Sequence, residues 1–142
     1  MSSTSNVRVI PDVGERECSY WTAGQRGTLV IPICSYCRRW SYPELSMHCT
    51  VCGAPTVPSH LRGVGKVHTF TVNWHRYHPD VAPPNIIALI EPADDPSLHL
   101  IAGIVECAVE EMCIGLDVEV VFERHGGAHV PVFRPRRPAV AT

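Results

Sequence analysis

Lysine is nearly absent. Lys66 stands alone among twelve Lys and Arg residues, and these face 14 Asp and Glu, for a net charge of −2 over 142 residues. A nucleic-acid binder needs a cationic face to neutralise phosphates, and this balance supplies no basic excess. The bias of the cations to arginine suits bidentate contacts to carboxylate or phosphate. No apolar run is long enough to cross a bilayer, and the N-terminus (Ser2, Ser3, Thr4, Ser5, Asn6) lacks the apolar region of a secretory signal. A cytoplasmic location with reduced thiols is the expectation. Two familiar catalytic spellings are also missing: there is no Gly-x-Ser-x-Gly elbow and no Walker phosphate loop. Apolar residues make up 45% of the chain, enough for one domain, or for two small ones sharing a core.

Cysteine is present in a pattern. Cys34-Ser35-Tyr36-Cys37 and Cys49-Thr50-Val51-Cys52 are two Cys-x-x-Cys pairs with eleven residues between them. Each pair can set two thiolates on one side of a tight turn. Two such turns face to face make a tetrahedral four-sulfur site, the geometry Zn²⁺ accepts. Gly53 suits the turn after the second pair because glycine tolerates positive φ. Arg38 and Arg39 after the first can offset the negative charge of a four-thiolate centre. Iron in a rubredoxin-like site is the main competitor. A pair of disulfides and a redox dithiol are the other readings, but a redox pair opens a helix, and Pro43 and Pro55 oppose helices here. The segment is poor in core residues, so the metal must hold it, and structural zinc commonly contributes ~10 kcal/mol or more. Cys18, Cys107 and Cys113 are left over and are expected as small buried packing residues.

The rest of the chain reads as mainly β. Residues 1–11 form a disordered tail, and 12–28 an N-terminal helical segment. There Asp12 caps a helix, Glu15 completes the capping box, and Gly24 and Gly27 stop it. Residues 29–60 form the ribbon, entered by a strand at Leu29–Ile33. From Arg62 strands dominate. In Val64–Trp74, simple alternation puts Val64, Phe70, Val72 and Trp74 on one face and Thr69, Thr71 and Asn73 on the other, with Trp74 in the core. Asn85–Ile90 is apolar on both faces, so it reads as a central strand. Leu98, Leu100, Ala102 and Ile104 alternate in a third strand. A helical turn follows at Val109–Cys113. Leu116, Val118, Val120 and Phe122 alternate with Asp117, Glu119 and Glu123. His129–Phe133 contains Pro131 and so reads as an edge or closing strand. Five strands with a helical turn between the third and fourth is the order of an OB-fold barrel, assigned here to 61–135, with a flexible tail at 136–142.

The order of features resembles a known family. It runs Trp21-Thr22-Ala23-Gly24, Gly27-Thr28-Leu29, Cys-x-x-Cys-Arg with Tyr42-Pro43, Cys-x-x-Cys-Gly, then Arg62-Gly63-Val64-Gly65-Lys66-Val67-His68-Thr69-Phe70-Thr71. It ends on Ile114-Gly115-Leu116-Asp117-Val118 and Pro131-Val132-Phe133. Across residues 14–135 the chain is similar to small zinc-ribbon plus OB-fold proteins, long labelled a domain of unknown function, that accompany thiolase-like enzymes. Some relatives have lost the ribbon cysteines; all four stand here. The resemblance implies one structural zinc on Cys34, Cys37, Cys49 and Cys52. It also implies a non-catalytic subunit that binds a thiolase-superfamily enzyme, sometimes with a hydratase, and shapes its acyl-CoA channel. The associated reactions make or break carbon–carbon bonds or transfer acyl groups, in some cases during steroid side-chain breakdown.

An accessory module could lend cations to the CoA phosphates, and the candidates are Arg62, Lys66, Arg76 and Arg134, with Arg136 and Arg137 behind them. Tyr20, Trp21 and Tyr77 are candidates for the partner interface, because aromatic residues are favoured at contact centres. Against each stands the plainer role of solvated charge or core aromatic. His75 and His78 lack a clear third ligand for a metal, and His48 sits beside a cysteine set that is already complete. No acid–base pair or nucleophile can be recognised. The alternative reading is a single-stranded nucleic-acid binder, which requires a basic, aromatic face on strands 2 and 3. The stretches 85–91 and 98–105 carry no Lys, Arg or aromatic residue.

Overall fold

The computed structural model describes residues 27–42, 45–76, 79, 82–125 and 128–137. The expected N-terminal helix, Cys18, Tyr20, Trp21, Tyr77 and His78 lie outside these residues. The first sheet has two antiparallel strands, β1 (Leu29–Cys34) and β2 (Thr56–Leu61), with Leu29 opposite Leu61 and Cys34 opposite Thr56. The other five strands are β3 (Val64–Asn73), β4 (Asn85–Pro92), β5 (Leu100–Ile104), β6 (Asp117–His125) and β7 (Ala128–Pro135). They close a barrel in the order β3-β4-β5-β7-β6. Neighbours are antiparallel except β5 and β7, which meet in parallel at Ile104 and Phe133. A 3₁₀ turn, Val109–Glu111, joins β5 to β6, and its Glu111 carboxylate accepts a hydrogen bond from the Ala108 amide at 2.9 Å.

The barrel and its turn follow the expected order, and β7 is the closing strand despite Pro131. Three local expectations are corrected. Strand β2 has no counterpart in the sequence pattern. Thr56-Val57-Pro58-Ser59-His60-Leu61 buries only Leu61 fully and contains a proline. It forms because β1 offers a ladder, and its Pro58 faces Pro32 of β1, so both missing donors fall on one rung. Strand β3 does not alternate simply. Val67 pairs with Ile90 and Thr69 with Leu89, which leaves His68 as the extra residue of a β-bulge. The bulge switches parity: Gly65 and Val67 turn inward before it, Phe70 and Val72 pack on the core after it. Val64 therefore does not share a face with Phe70. Trp74 lies just past the end of β3 and is 66% exposed, not packed in the core.

The cysteines outside the ribbon also differ from expectation. Cys107 is half-buried against the core, as foreseen, but Cys113 is exposed. The reason is local: Met112 takes the inward position at the end of the 3₁₀ turn, so its neighbour points out.

Ribbon and barrel share one core. Leu29, Ile31 and Leu61 of the two-stranded sheet pack in the same cluster as Val67, Ile90, Val118 and Phe133 of the barrel. Polar bonds fasten the join. The Trp40 indole N–H donates to the Asp95 carboxylate at 2.8 Å, in the turn between β4 and β5. The Ser97 hydroxyl, then this indole, then the Ser97 amide hold the Asp95 carboxyl below its ordinary range, against a small opposing effect of burial. The Tyr42 hydroxyl accepts from the Ile101 amide at 2.9 Å and donates to the Ile101 carbonyl at 3.2 Å. Trp40 and Tyr42 also pack on the core.

Gly65 marks a place where β3 and β4 meet with no room for a side chain: a Cβ there would overlap the carbonyl oxygen of Glu91. We expect Gly65→Ala to lower stability by about 1–3 kcal/mol, the usual range for forced overpacking. The check is a urea transition with a lower midpoint, an unchanged slope and unchanged zinc content.

Candidate functional site

The two Cys-x-x-Cys turns are built alike. In the first, the Cys34 amide donates to the Arg39 carbonyl at 2.8 Å, and the Arg38 amide donates back to the Cys34 carbonyl at 3.2 Å. In the second, the Cys49 amide donates to the Ala54 carbonyl at 2.7 Å, and the Gly53 amide to the Cys49 carbonyl at 3.0 Å. Each loop turns back through a left-handed residue at the same position, Arg38 at φ 65° and Gly53 at φ 80°. Glycine adopts that conformation freely, whereas arginine must be held in it. The sequence signalled Gly53 but not Arg38. The signal was the matching position: both residues directly follow the second cysteine of a pair.

These turns bring four sulfurs together. Cys34 Sγ lies 3.4 Å from Cys52 Sγ, Cys37 Sγ lies 3.6 Å from Cys49 Sγ, and Cys52 Sγ lies 3.8 Å from Cys37 Sγ. All four donor atoms fall within 4.8 Å of one another. A tetrahedron with metal–sulfur bonds of about 2.3 Å has edges of about 3.8 Å. The four cysteines are free thiols, so neither pair is a disulfide. Cys34 and Cys49 are buried and Cys52 is exposed, which sets the site at the rim of the ribbon.

Backbone amides point at the sulfurs, as a thiolate centre requires. Cys34 Sγ accepts from the Cys37 amide at 3.3 Å and the Tyr36 amide at 3.4 Å, and Cys49 Sγ accepts from the Val51 amide at 3.4 Å. Burial works to raise the Cys34 pKa, but these amides and the neighbouring Cys52 and Cys37 thiols bring it down to about 6. Cys49 is also lowered, by the Cys52 and Val51 amides. For Cys37 the Arg39 amide lowers the pKa, but burial and the surrounding sulfurs outweigh it and push the thiol up to about 11. Four sulfurs this close cannot all carry charge unless a cation joins them. The donor set therefore fits a divalent, thiophilic ion.

The other sequence candidates do not gather into one site. Arg62 pairs with Asp94 at 3.4 Å and Lys66 with Asp117 at 2.9 Å. Arg134 bridges Glu119 at 2.9 Å and Glu106 at 3.4 Å. Glu119, burial and then Glu106 act on the Arg134 guanidinium, and the net effect holds its pKa above the usual value. Arg137 reaches Glu111 at 3.5 Å. Arg76 donates instead to the Pro79 carbonyl at 3.0 Å. His48 and His75 are exposed. Among the described residues, His68 is hydrogen-bonded to Glu91 and His125 to Glu123. A groove of about 490 Å³ runs along β4 and β5, lined in part by Pro84, Asn85, Ile87, Ile101 and Cys107. Asn85 Nδ2 is buried with no hydrogen-bond partner among the described residues.

Two family models match the chain: the ChsH2 rubredoxin-like zinc ribbon domain at residues 21–58, and the ChsH2 C-terminal OB-fold domain at residues 59–123. Among solved structures the chain is similar to one described as Ltp2-ChsH2(DUF35) aldolase. That match has 26% identity and a TM-score of 0.76, covering 89% of this chain and 98% of that one. A protein of unknown function from the DUF35 family of Sulfolobus solfataricus shares the fold, with 14% identity, a TM-score of 0.59 and 87% of each chain covered. No curated protein matches by sequence. Zinc-ribbon homology and sulfur spacing agree, and the four cysteines are a site for one structural zinc ion.

We expect Cys37→Ser to lose the metal and to loosen the two turns, read as zinc content near zero by elemental analysis. Metal uptake must also depend on pH. Because the Cys34 pKa is depressed to about 6, its thiolate is ready above that pH and must be deprotonated by the metal below it. Zinc affinity should thus fall more steeply with pH below about 6 than above it, as one further proton is displaced, which competition titrations with a chelator can measure.

Proposed function

The chain belongs to the ChsH2 family of rubredoxin-like zinc-ribbon and OB-fold proteins, and from that premise we propose that it is a non-catalytic subunit of an acyl-CoA enzyme. Its partner is a thiolase-superfamily protein that makes or breaks a carbon–carbon bond, and the subunit helps to form the partner's acyl-CoA channel. The observation that carries this reading is the end-to-end likeness to the structure described as an Ltp2-ChsH2(DUF35) aldolase. The chemistry of the described residues supports it. Their histidine hydrogen bonds go to glutamates, not to a nucleophile, and the zinc site has four protein ligands with no open position for substrate.

The outer face of β4 and β5 is the docking surface we assign to the partner. Ile101 is 50% exposed and Ile87 38% exposed on the groove wall, and apolar side chains at such a face bury well against a second protein. For the CoA phosphates, Arg76 is the candidate best placed in chemical terms, because it is bonded to a carbonyl and not to a carboxylate. Arg62, Lys66 and Arg134 would have to exchange an existing carboxylate partner.

Co-expression with a thiolase-superfamily protein, followed by size exclusion and assay of each protein alone and of the mixture, tests the proposal. A stable hetero-oligomer is expected, with acyl-CoA turnover by the complex and none by this chain alone. Ile101→Asp should weaken association at least about tenfold, as for a residue near the centre of an interface. Turnover of acyl-CoA by the isolated chain would overturn the reading, and so would tight, salt-sensitive binding to single-stranded nucleic acid without any such complex.

A further inference from the structure

We propose that His68, Glu91 and His99 form a second metal site on the outer face of the barrel, for a borderline divalent transition-metal ion such as Zn²⁺, Co²⁺, Ni²⁺ or Cu²⁺. The three residues come from three neighbouring elements. His68 is the bulged residue of β3, Glu91 lies near the end of β4, and His99 directly precedes β5. Strand β4 pairs with β3 on one side and β5 on the other, so the two histidines reach over it from opposite sides. Their rings stack with centroids 4.3 Å apart and planes inclined by 18°. His68 Nδ1 lies 2.6 Å from Glu91 Oε2. One ligand atom from each residue falls within 4.8 Å of the others.

The backbone explains why these donors meet. In a regular ladder the residue after inward-facing Val67 would have a partner on β4. The bulge removes that partner and re-aims the side chain, a common use of bulges. Lys66 faces Glu91 across the ladder and would be its natural counter-ion. The Lys66 ammonium instead binds Asp117 of β6 at 2.9 Å. The Glu91 carboxylate is left to the histidines.

Two imidazoles and one carboxylate select the borderline metals over Mg²⁺ or Ca²⁺, which take oxygen ligands. With bonds of about 2.1 Å, donors in a tetrahedral site stand about 3.4 Å apart. The observed cluster reaches that arrangement by side-chain rotation, unstacking the rings and replacing the His68–Glu91 hydrogen bond by the ion. The His68 and Glu91 side chains are 45% and 33% exposed, so they are free to turn and the ion can enter from solvent. Three protein ligands leave the remaining position to water. This site differs from the ribbon centre in donor type, in exposure and in its place in the fold. It does not depend on the subunit reading above.

The test uses tag-free protein with its ribbon zinc in place, titrated with Co²⁺ and followed by calorimetry and visible absorption. One further equivalent should bind, with ligand-field bands of nitrogen and oxygen ligation and no sulfur charge-transfer band. His68→Ala and His99→Ala should each weaken that binding at least tenfold, and Glu91→Gln should weaken it too. His125→Ala, which removes the other histidine–glutamate pair, should leave it unchanged. Retained ribbon zinc shows that each variant is folded. Absence of any binding beyond the ribbon metal would overturn the proposal, as would a further equivalent that survives in the His68→Ala, His99→Ala double variant.

Discussion

The structure depends on four sulfurs that cannot sit together without a cation between them. Strands β1 and β2 are joined by the whole stretch from Ser35 to Pro55, and among its described residues only Leu45 and Cys49 are buried hydrophobics. Closing a long connection costs entropy, and so little apolar burial cannot offset it. The metal does. It ties Cys34, at the end of β1, to Cys49 and Cys52, a few residues ahead of β2, and so brings the two strands into register at Cys34 and Thr56. Once paired, the sheet turns Leu29, Ile31 and Leu61 onto the barrel, where they complete its core. A metal at the rim thus organises packing several residues away.

Much of this order was legible in the residues. The cysteine spacing gave the metal site, and clean alternation gave β5 and β6. The run of apolar residues from Asn85 to Ile90 gave the central strand. What escaped were features that exist only between strands. Strand β2 carries a proline and little apolar character, so its identity comes from its partner and not from its own pattern. The parity of β3 could not be read because a bulge leaves no composition signal, and an alternation rule applied across His68 puts Val64 on the wrong face. Trp74 looked like core because it keeps the parity of Phe70 and Val72, but it stands one residue past the end of the strand, where that parity no longer places a side chain. His68, Glu91 and His99 are spread over the sequence with no metal-ligand spacing, and only the order of strands in the barrel brings them together.

The charges tell a related story. The cations that composition offered as phosphate ligands are mostly committed at home: Arg62 to Asp94, Lys66 to Asp117, Arg134 to Glu119 and Glu106. Exposed pairs of this kind contribute little to stability, because solvent screens them. Their effect is to offset these charges locally on the barrel surface. The outer β4–β5 face, by contrast, presents the exposed apolar side chains of Ile87 and Ile101.

The metal centre and that apolar face are not independent. Strand β5 meets β7 at a single paired position, Ile104 with Phe133, and the Val105 amide adds one bond to the Phe133 carbonyl. Ahead of that crossing its free edge needs other partners, because unpaired strand groups invite fraying. Tyr42 supplies them from the ribbon: its hydroxyl takes both the amide and the carbonyl of Ile101. Tyr42 is placed by the first cysteine turn, through Trp40, whose bridge to Ile33 and bond to Asp95 fix the chain between them. The zinc-held turn therefore clamps the backbone of the residue whose side chain projects from the groove wall. Losing the ion would free the edge of β5 as well as the ribbon, and a rigid face becomes one whose ordering must be met on binding. That is a physical reason for a small ribbon-and-barrel protein to carry a structural metal.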